Sequence, residues 1–222
     1  MVVLATKCYV SGDARERALD SLDALLADAL GDLDVGWTAG VRADDWVSVT
    51  LSGEDEVAAR NLLREQWGEV PTHLDSGETY VGTLESWTDD SLGVDLGPRT
   101  VEIAAADLDL GPGTAAQVRD RFGLVQHVRL RVVLSDPPRL ADEEVDRLYD
   151  WTRGAGRLNV NSATRGEVRA TVNRAGHARD IVTVERLGLL EQSVVCTEST
   201  DPPGILAAVG EHLPAELRCV VP

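Results

Sequence analysis

Arg157-Leu158-Asn159-Val160-Asn161-Ser162-Ala163-Thr164-Arg165-Gly166-Glu167-Val168-Arg169 passes from a short apolar strand, Arg157 to Val160, into a segment whose spacing predicts a helix from Thr164 to Ala175. Beyond it, Asp180 to Leu187 and Gln192 to Thr197 read as a hairpin turning near Gly188. Pro203 to Leu213 reads as a helix, and Leu217 to Val221 as a closing strand. Six elements therefore follow one another in the order βαββαβ. Asp180 to Leu190 is the ambiguous stretch, because helical periodicity can also claim it.

That order is the pattern of a ferredoxin-like unit. Upstream, Glu143 to Arg153 reads as a helix, and Asp136-Pro137-Pro138 as a linker, since proline resists both helix and central strand. At the other end of the chain, Val2 to Val10 reads as a strand. A helix carrying Leu19, Leu22, Leu25, Leu26 and Leu30 follows, then strands at Val35 to Val41 and Trp46 to Leu51, then a helix from Glu54 to Trp67. Between them, short strands at Tyr80 to Trp87, Leu92 to Leu96, Thr100 to Ile103 and His127 to Leu134 surround one helical insert, Thr114 to Phe122. Short strands joined by glycine turns predict a small β-barrel. The expected fold is α+β, with two ferredoxin-like βαββαβ units flanking a small OB-like β-barrel. Its expected units span residues 1–75, 76–135 and 136–222.

The 222 residues suffice for two or three compact units. Acidic residues outnumber basic ones 38 to 21, and Lys7 is the single lysine. Such a surface suits molar salt, where carboxylates stay hydrated and their repulsion is screened. Cys8, Cys196 and Cys219 lack the spacing of a zinc knuckle and read as buried thiols. Met1 to Val10 is no signal peptide and no apolar run is long enough for a membrane span, so the expectation is a cytoplasmic protein with no membrane partner.

No stretch assembles a nucleophile with its base, a metal-ligand set or a phosphate-cradling lysine loop, so no catalytic residue, metal or cofactor is expected. His73, His127, His177 and His212 are scattered and read as surface histidines. Gly111-Pro112-Gly113 before Thr114 reads as a turn into a helix cap, and Thr200 to Ile205 as a second cap that a metabolite sensor could use. Trp151 to Leu190 departs from the acidic background, with seven arginines against Glu167, Asp180 and Glu185. Arginine is suited to bidentate phosphate contact. The expected nucleic-acid contacts are Arg153, Arg157, Arg165, Arg169, Arg174, His177 and Arg179, with Trp87, Trp151 and Tyr149 available for stacking. Internal pairing with Asp142, Glu143, Glu144, Asp146 and Asp150 is the competing use of these cations.

Two resemblances accompany these readings. Tyr80-Val81-Gly82-Thr83-Leu84 and Gly93-Val94-Asp95-Leu96-Gly97 resemble the opening strands of the OB-fold RNA-binding barrels of ribosomal and translation-factor proteins. Trp151-Thr152-Arg153-Gly154-Ala155-Gly156-Arg157 and Asn173-Arg174-Ala175-Gly176-His177, with Asp180, resemble an archaeal family, the domain of unknown function 2110, over essentially the full length. That second resemblance implies a haloarchaeal origin and a cytoplasmic setting, and it assigns no site residue. The functional expectation is a non-enzymatic protein that binds RNA or a ribonucleoprotein, with a protein-docking module or a metabolite sensor as alternatives.

Overall fold

In the computed structural model, which describes residues 1–222, β1 (Val2–Lys7) is buried along its whole length. Onto it α1 (Asp13–Leu30) lays Ala18, Leu22, Leu26 and Leu30, four residues apart and so on one face. β2 (Val35–Val41) and β3 (Trp46–Gly53) form a hairpin turned by Asp45 at φ 65°, a conformation Asp tolerates. α2 (Glu56–Trp67) adds Ala59, Leu63 and Trp67 to the same core, giving an antiparallel sheet in the order β1-β3-β2. This unit stops at βαββα. In place of the sixth element of the expected pattern, Glu69 makes a single bridge to Leu4 and the Val70 amide bonds to Val3 at 2.8 Å. Pro71, which has no N–H, follows at once.

The middle of the chain gives β4 (Thr79–Trp87), β5 (Ser91–Asp95) and β6 (Thr100–Ala104), then α3 (Ala115–Arg121), β7 (Arg129–Val133) and β8 (Arg139–Leu140). These strands form an antiparallel sheet in the order β6-β5-β4-β7-β8. A bulge between Leu84 and Ser86 bends β4, and the sheet curls into a half-barrel whose edges, β6 and β8, approach each other. α4 (Asp142–Trp151) closes it, with Leu148 and Trp151 in the same hydrophobic cluster as Phe122, Leu130 and Val132. The expected boundary at residue 136 puts this helix in the last unit. Because β8 pairs with β7 directly after Pro137-Pro138, the chain stays on the central sheet through Trp151.

β9 (Arg157–Val160), α5 (Arg165–Arg174), β10 (Ile181–Arg186), β11 (Gln192–Cys196), α6 (Pro202–Gly210) and β12 (Leu217–Val220) complete the molecule. Their antiparallel sheet has the order β10-β11-β9-β12, with Val168, Val172, Ile205 and Val209 of the two helices packed on Leu158, Val160 and Val194. The fold is thus mixed α+β, with six helices and three antiparallel sheets.

What joins the three sheets is the turn of the β10–β11 hairpin. Leu187 lies in the central core, whereas Leu189 and Leu190 lie in the first. Loops ordinarily run over the surface, because buried backbone needs partners. Here Thr6 Oγ1 accepts from the Leu189 amide at 2.9 Å, and the Leu187 carbonyl accepts from Arg129 Nε at 2.7 Å. Cys8 and Cys196 are buried and Cys219 is half-buried; all three are free thiols. No helix is long and apolar enough to cross a membrane.

Candidate functional site

Thr164 starts α5 with a capping box. Its hydroxyl accepts from the Glu167 amide, and Glu167 Oε2 takes the Thr164 amide at 2.8 Å. Val168, Thr171 and Val172 face the core, which leaves Arg165, Arg169 and Arg174 exposed. Arg165 and Arg169 share a face. Nine residues separate Arg165 from Arg174, about 180° around the helix, so no single surface holds all three.

The other expected contacts divide by partner. Arg153 pairs with Asp150 at 2.8 Å, the one case in which an expected contact pairs with an acid of α4. Arg157 is only 12 % exposed, bonds Glu185 at 3.0 Å and lies 5.1 Å from the Trp151 ring centre. His177 Nδ1 is 2.7 Å from Asp180. Arg165, whose Nε donates to the Val184 carbonyl at 2.6 Å, joins Arg169, Arg174 and Arg179 in having no carboxylate within ion-pair distance. The aromatic residues are engaged internally. Arg119 covers Trp87 at 3.3 Å, Arg147 and Arg157 lie 4.8 and 5.1 Å from the Trp151 ring centre, and Tyr149 meets Phe122 edge-on. Thr114 caps α3 through a capping box with Gln117, so the glycine turn before it serves the helix.

The residue that the charge count included but the expected contacts omitted is Arg186. It is half-buried at the end of β10, where its backbone pairs with Gln192, and its side chain has neither a hydrogen-bond nor an ion-pair partner. Burial and the neighbouring Arg165 both disfavour its charge and lower its pKa. Three adjoining cavities share it. The central one, about 300 Å³, is walled by the end of α2, by β7 and by α4. A second, about 520 Å³, passes Trp151 to Arg165; a third, about 320 Å³, passes Trp67 to Leu25, Asp28 and Ala29 of α1. Together they form a groove where the three units meet.

Arginines dominate the centre of this groove. Arg129, on β7, reaches the carbonyls of Gln66 and Trp67 at the C-terminus of α2 as well as that of Leu187. Burial pulls its pKa down to about 10, yet it remains a cation. Arg131 and Arg147 share the fully buried Glu144. The basic stretch Trp151 to Leu190 does not include these cations, because Arg129, Arg131 and Arg147 lie upstream of it and only the fold brings them to Arg186.

A second polar constellation surrounds the lone lysine. Lys7 Nζ is 2.8 Å from Asp95 and 2.9 Å from Glu85, across the boundary between the first and central units. Burial opposes its charge, but hydrogen bonds to both carboxylates outweigh burial and raise its pKa. A lysine held as ammonium is no nucleophile. Glu85 also takes Thr83 Oγ1 at 2.7 Å and contacts His127 at 3.1 Å; these bonds overcome burial and bring its pKa down to about 2. His127, expected on the surface, is 13 % exposed and packs on Tyr9 with ring centres 3.9 Å apart. Tyr9 donates to Glu191 at 2.7 Å and accepts from the Ser162 amide at 2.9 Å. The chain of contacts clamps three units and encloses none of the three groove cavities. No three His, Cys, Asp or Glu side chains converge as a metal-binding group.

Family models match the chain over three consecutive stretches: the DUF2110 N-terminal domain over residues 1–73, the DUF2110 central domain over 74–152 and the DUF2110 C-terminal domain over 155–221. The second boundary falls after α4, where the hydrophobic clusters place it. No curated protein matches the chain.

Proposed function

Starting from the fact that the chain belongs to the DUF2110 family, we propose that it is a non-enzymatic protein that binds RNA, alone or in a ribonucleoprotein, along α5 and into the groove. One observation carries this reading: Arg165 and Arg186 line the same cavity without a carboxylate partner, in a chain of net charge −17. Two unpaired guanidiniums held near each other are a standing cost that a phosphate removes with charge-assisted hydrogen bonds. Arg169 extends the path along the helix. At molar salt counterion release contributes little, so such geometry has to supply the affinity.

The setting we propose is the cytoplasm of a salt-adapted archaeon, on the strength of the acidic, lysine-poor composition. We also read the first and last units as ferredoxin-like and the half-barrel as OB-like. The antiparallel order β10-β11-β9-β12 supports this for the last unit, the order β1-β3-β2 supports it for the first without its final strand, and the curl of the central sheet supports the OB-like reading.

Crosslinking and sequencing of bound RNA at native salt tests the function, with wild type beside an Arg165→Glu/Arg186→Glu variant and an Arg165→Glu/Arg169→Glu/Arg174→Glu variant. Discrete RNA sites lost in both, with unchanged melting temperatures, are expected. Recovery at background for the wild type would sink the reading. A protein-docking role is favoured by one feature, the exposed Val182 on the edge strand β10 next to this face. In that case the variants lose a partner that survives nuclease treatment.

A further inference from the structure

Both arms of the groove are positive, and the arm toward α5 is the more so. Toward α5 the wall carries Arg147, Arg165 and Arg186, and its one carboxylate, Glu185, is held by Arg157. Toward α1 the third cavity ends on Asp28, and the outer wall of the central cavity carries Glu65 and Glu143. None of these three acids takes part in an ion pair with an arginine, whereas Glu144 beside them is held by two. A phosphate chain entering along α5 therefore gains from each cation up to Arg186, and beyond it meets Asp28 toward α1, or Glu65 and Glu143 beside Arg64 and Arg131 in the central cavity.

The central cavity also holds two arginines, Arg129 and Arg186, that make no ion pair. The Arg129 guanidinium bonds three carbonyl groups through Nε and Nη1, which leaves its charge and its Nη2 donors without a partner. The side chain of Arg186, which lines the same cavities, has no hydrogen-bond or ion-pair partner. A phosphodiester brings one negative charge to such a place, and a terminal phosphomonoester brings about −1.5 to −2 with three acceptor oxygens. A cavity of about 300 Å³ is at the small end of ligand sites, sized for one nucleotide and too small for a duplex.

We propose that the groove receives the end of a single-stranded RNA, with its terminal phosphomonoester seated in the central cavity against Arg186 and its chain leaving past Arg165 along α5. This recognition rests on the RNA reading above and adds which part of the RNA is read. Arg186 supplies the charge-assisted bonds to the terminal group, and Arg165 meets the next phosphate out.

The test is fluorescence anisotropy at one fixed salt concentration with a short single-stranded RNA of one sequence, prepared with a 5′-phosphate, a 3′-phosphate or hydroxyls at both ends. The expected result is that one phosphorylated form binds on the order of tenfold tighter than the hydroxyl-ended form. Arg186→Gln, shown folded by an unchanged melting temperature, should bring that ratio close to one. Equal affinity of all three RNAs for the wild type would overturn end recognition while leaving RNA binding in place. Absence of binding by all three would overturn both. Thermal stabilisation by a nucleoside monophosphate without RNA binding would count against both as well, and would point to a small organic phosphate instead.

Discussion

Glu191 is the residue whose burial has the clearest consequence. It has no exposed surface, its Oε2 has no hydrogen-bond partner, and Tyr9 and Arg129 offset only part of the desolvation that pushes its pKa up to about 8. In the unfolded chain it titrates near the ordinary carboxylate value, so between about pH 4.5 and pH 8 the folded protein holds a proton that the unfolded one has released. Stability must fall as pH rises through that window. Glu85 acts with the opposite sign: its depressed pKa stabilises the fold above the ordinary value, and that contribution is lost as pH falls from about 4.5 toward 2. Glu191→Gln should therefore flatten the decline between pH 5 and 8 and raise the melting temperature at pH 8 while changing it little at pH 4.5. Denaturation followed across pH checks this, and an unchanged slope would mean that Glu191 is ionised throughout.

α5 shows how an element can be legible while its use is not. Its start, end and neighbouring strand follow from residue types near in sequence: Thr164 and Glu167 satisfy the first amides and Val168 with Val172 marks the buried face. Removing the cap by Thr164→Ala should cost about 1 kcal/mol, more if the Arg17–Glu167 contact across to α1 loosens with it. Chemical denaturation measures that loss, and amide exchange should localise it to the first turn of α5. The β10–β11 hairpin was harder to read, because Leu187, Leu189 and Leu190 mimic helical spacing. They are apolar for a different reason, which is that two other units cover them. No local pattern encodes a partner that lies more than fifty residues away in the chain. Arg129, Arg131 and Arg147 of the groove are illegible for the same reason, whereas Arg165 and Arg186 stand in a locally basic stretch.

At the scale of the whole molecule, the hairpin tip decides whether three units behave as one. The polar contacts at the boundaries, Lys7 with Glu85 and Asp95, Arg119 with Glu216, and Arg129 with carbonyls of both outer units, set direction and register. Partly buried ion pairs of this kind contribute modestly, since desolvation offsets much of their attraction. Apolar burial has no such offset: Leu187, Leu189 and Leu190 are each at most 6 % exposed, and covering them stabilises the assembly by about 2 kcal/mol apiece. Cooperative unfolding of the wild type in a single calorimetric transition is the expected consequence. Truncating the tip with Leu189→Ala and Leu190→Ala removes side chains from the core of the first unit while leaving every charged contact in place. The double variant should lose several kcal/mol and unfold in two steps, the N-terminal unit separating from the rest. If it still melts in one transition at nearly the wild-type temperature, the charged contacts hold the units together after all, and the Lys7 clamp becomes the part to dismantle.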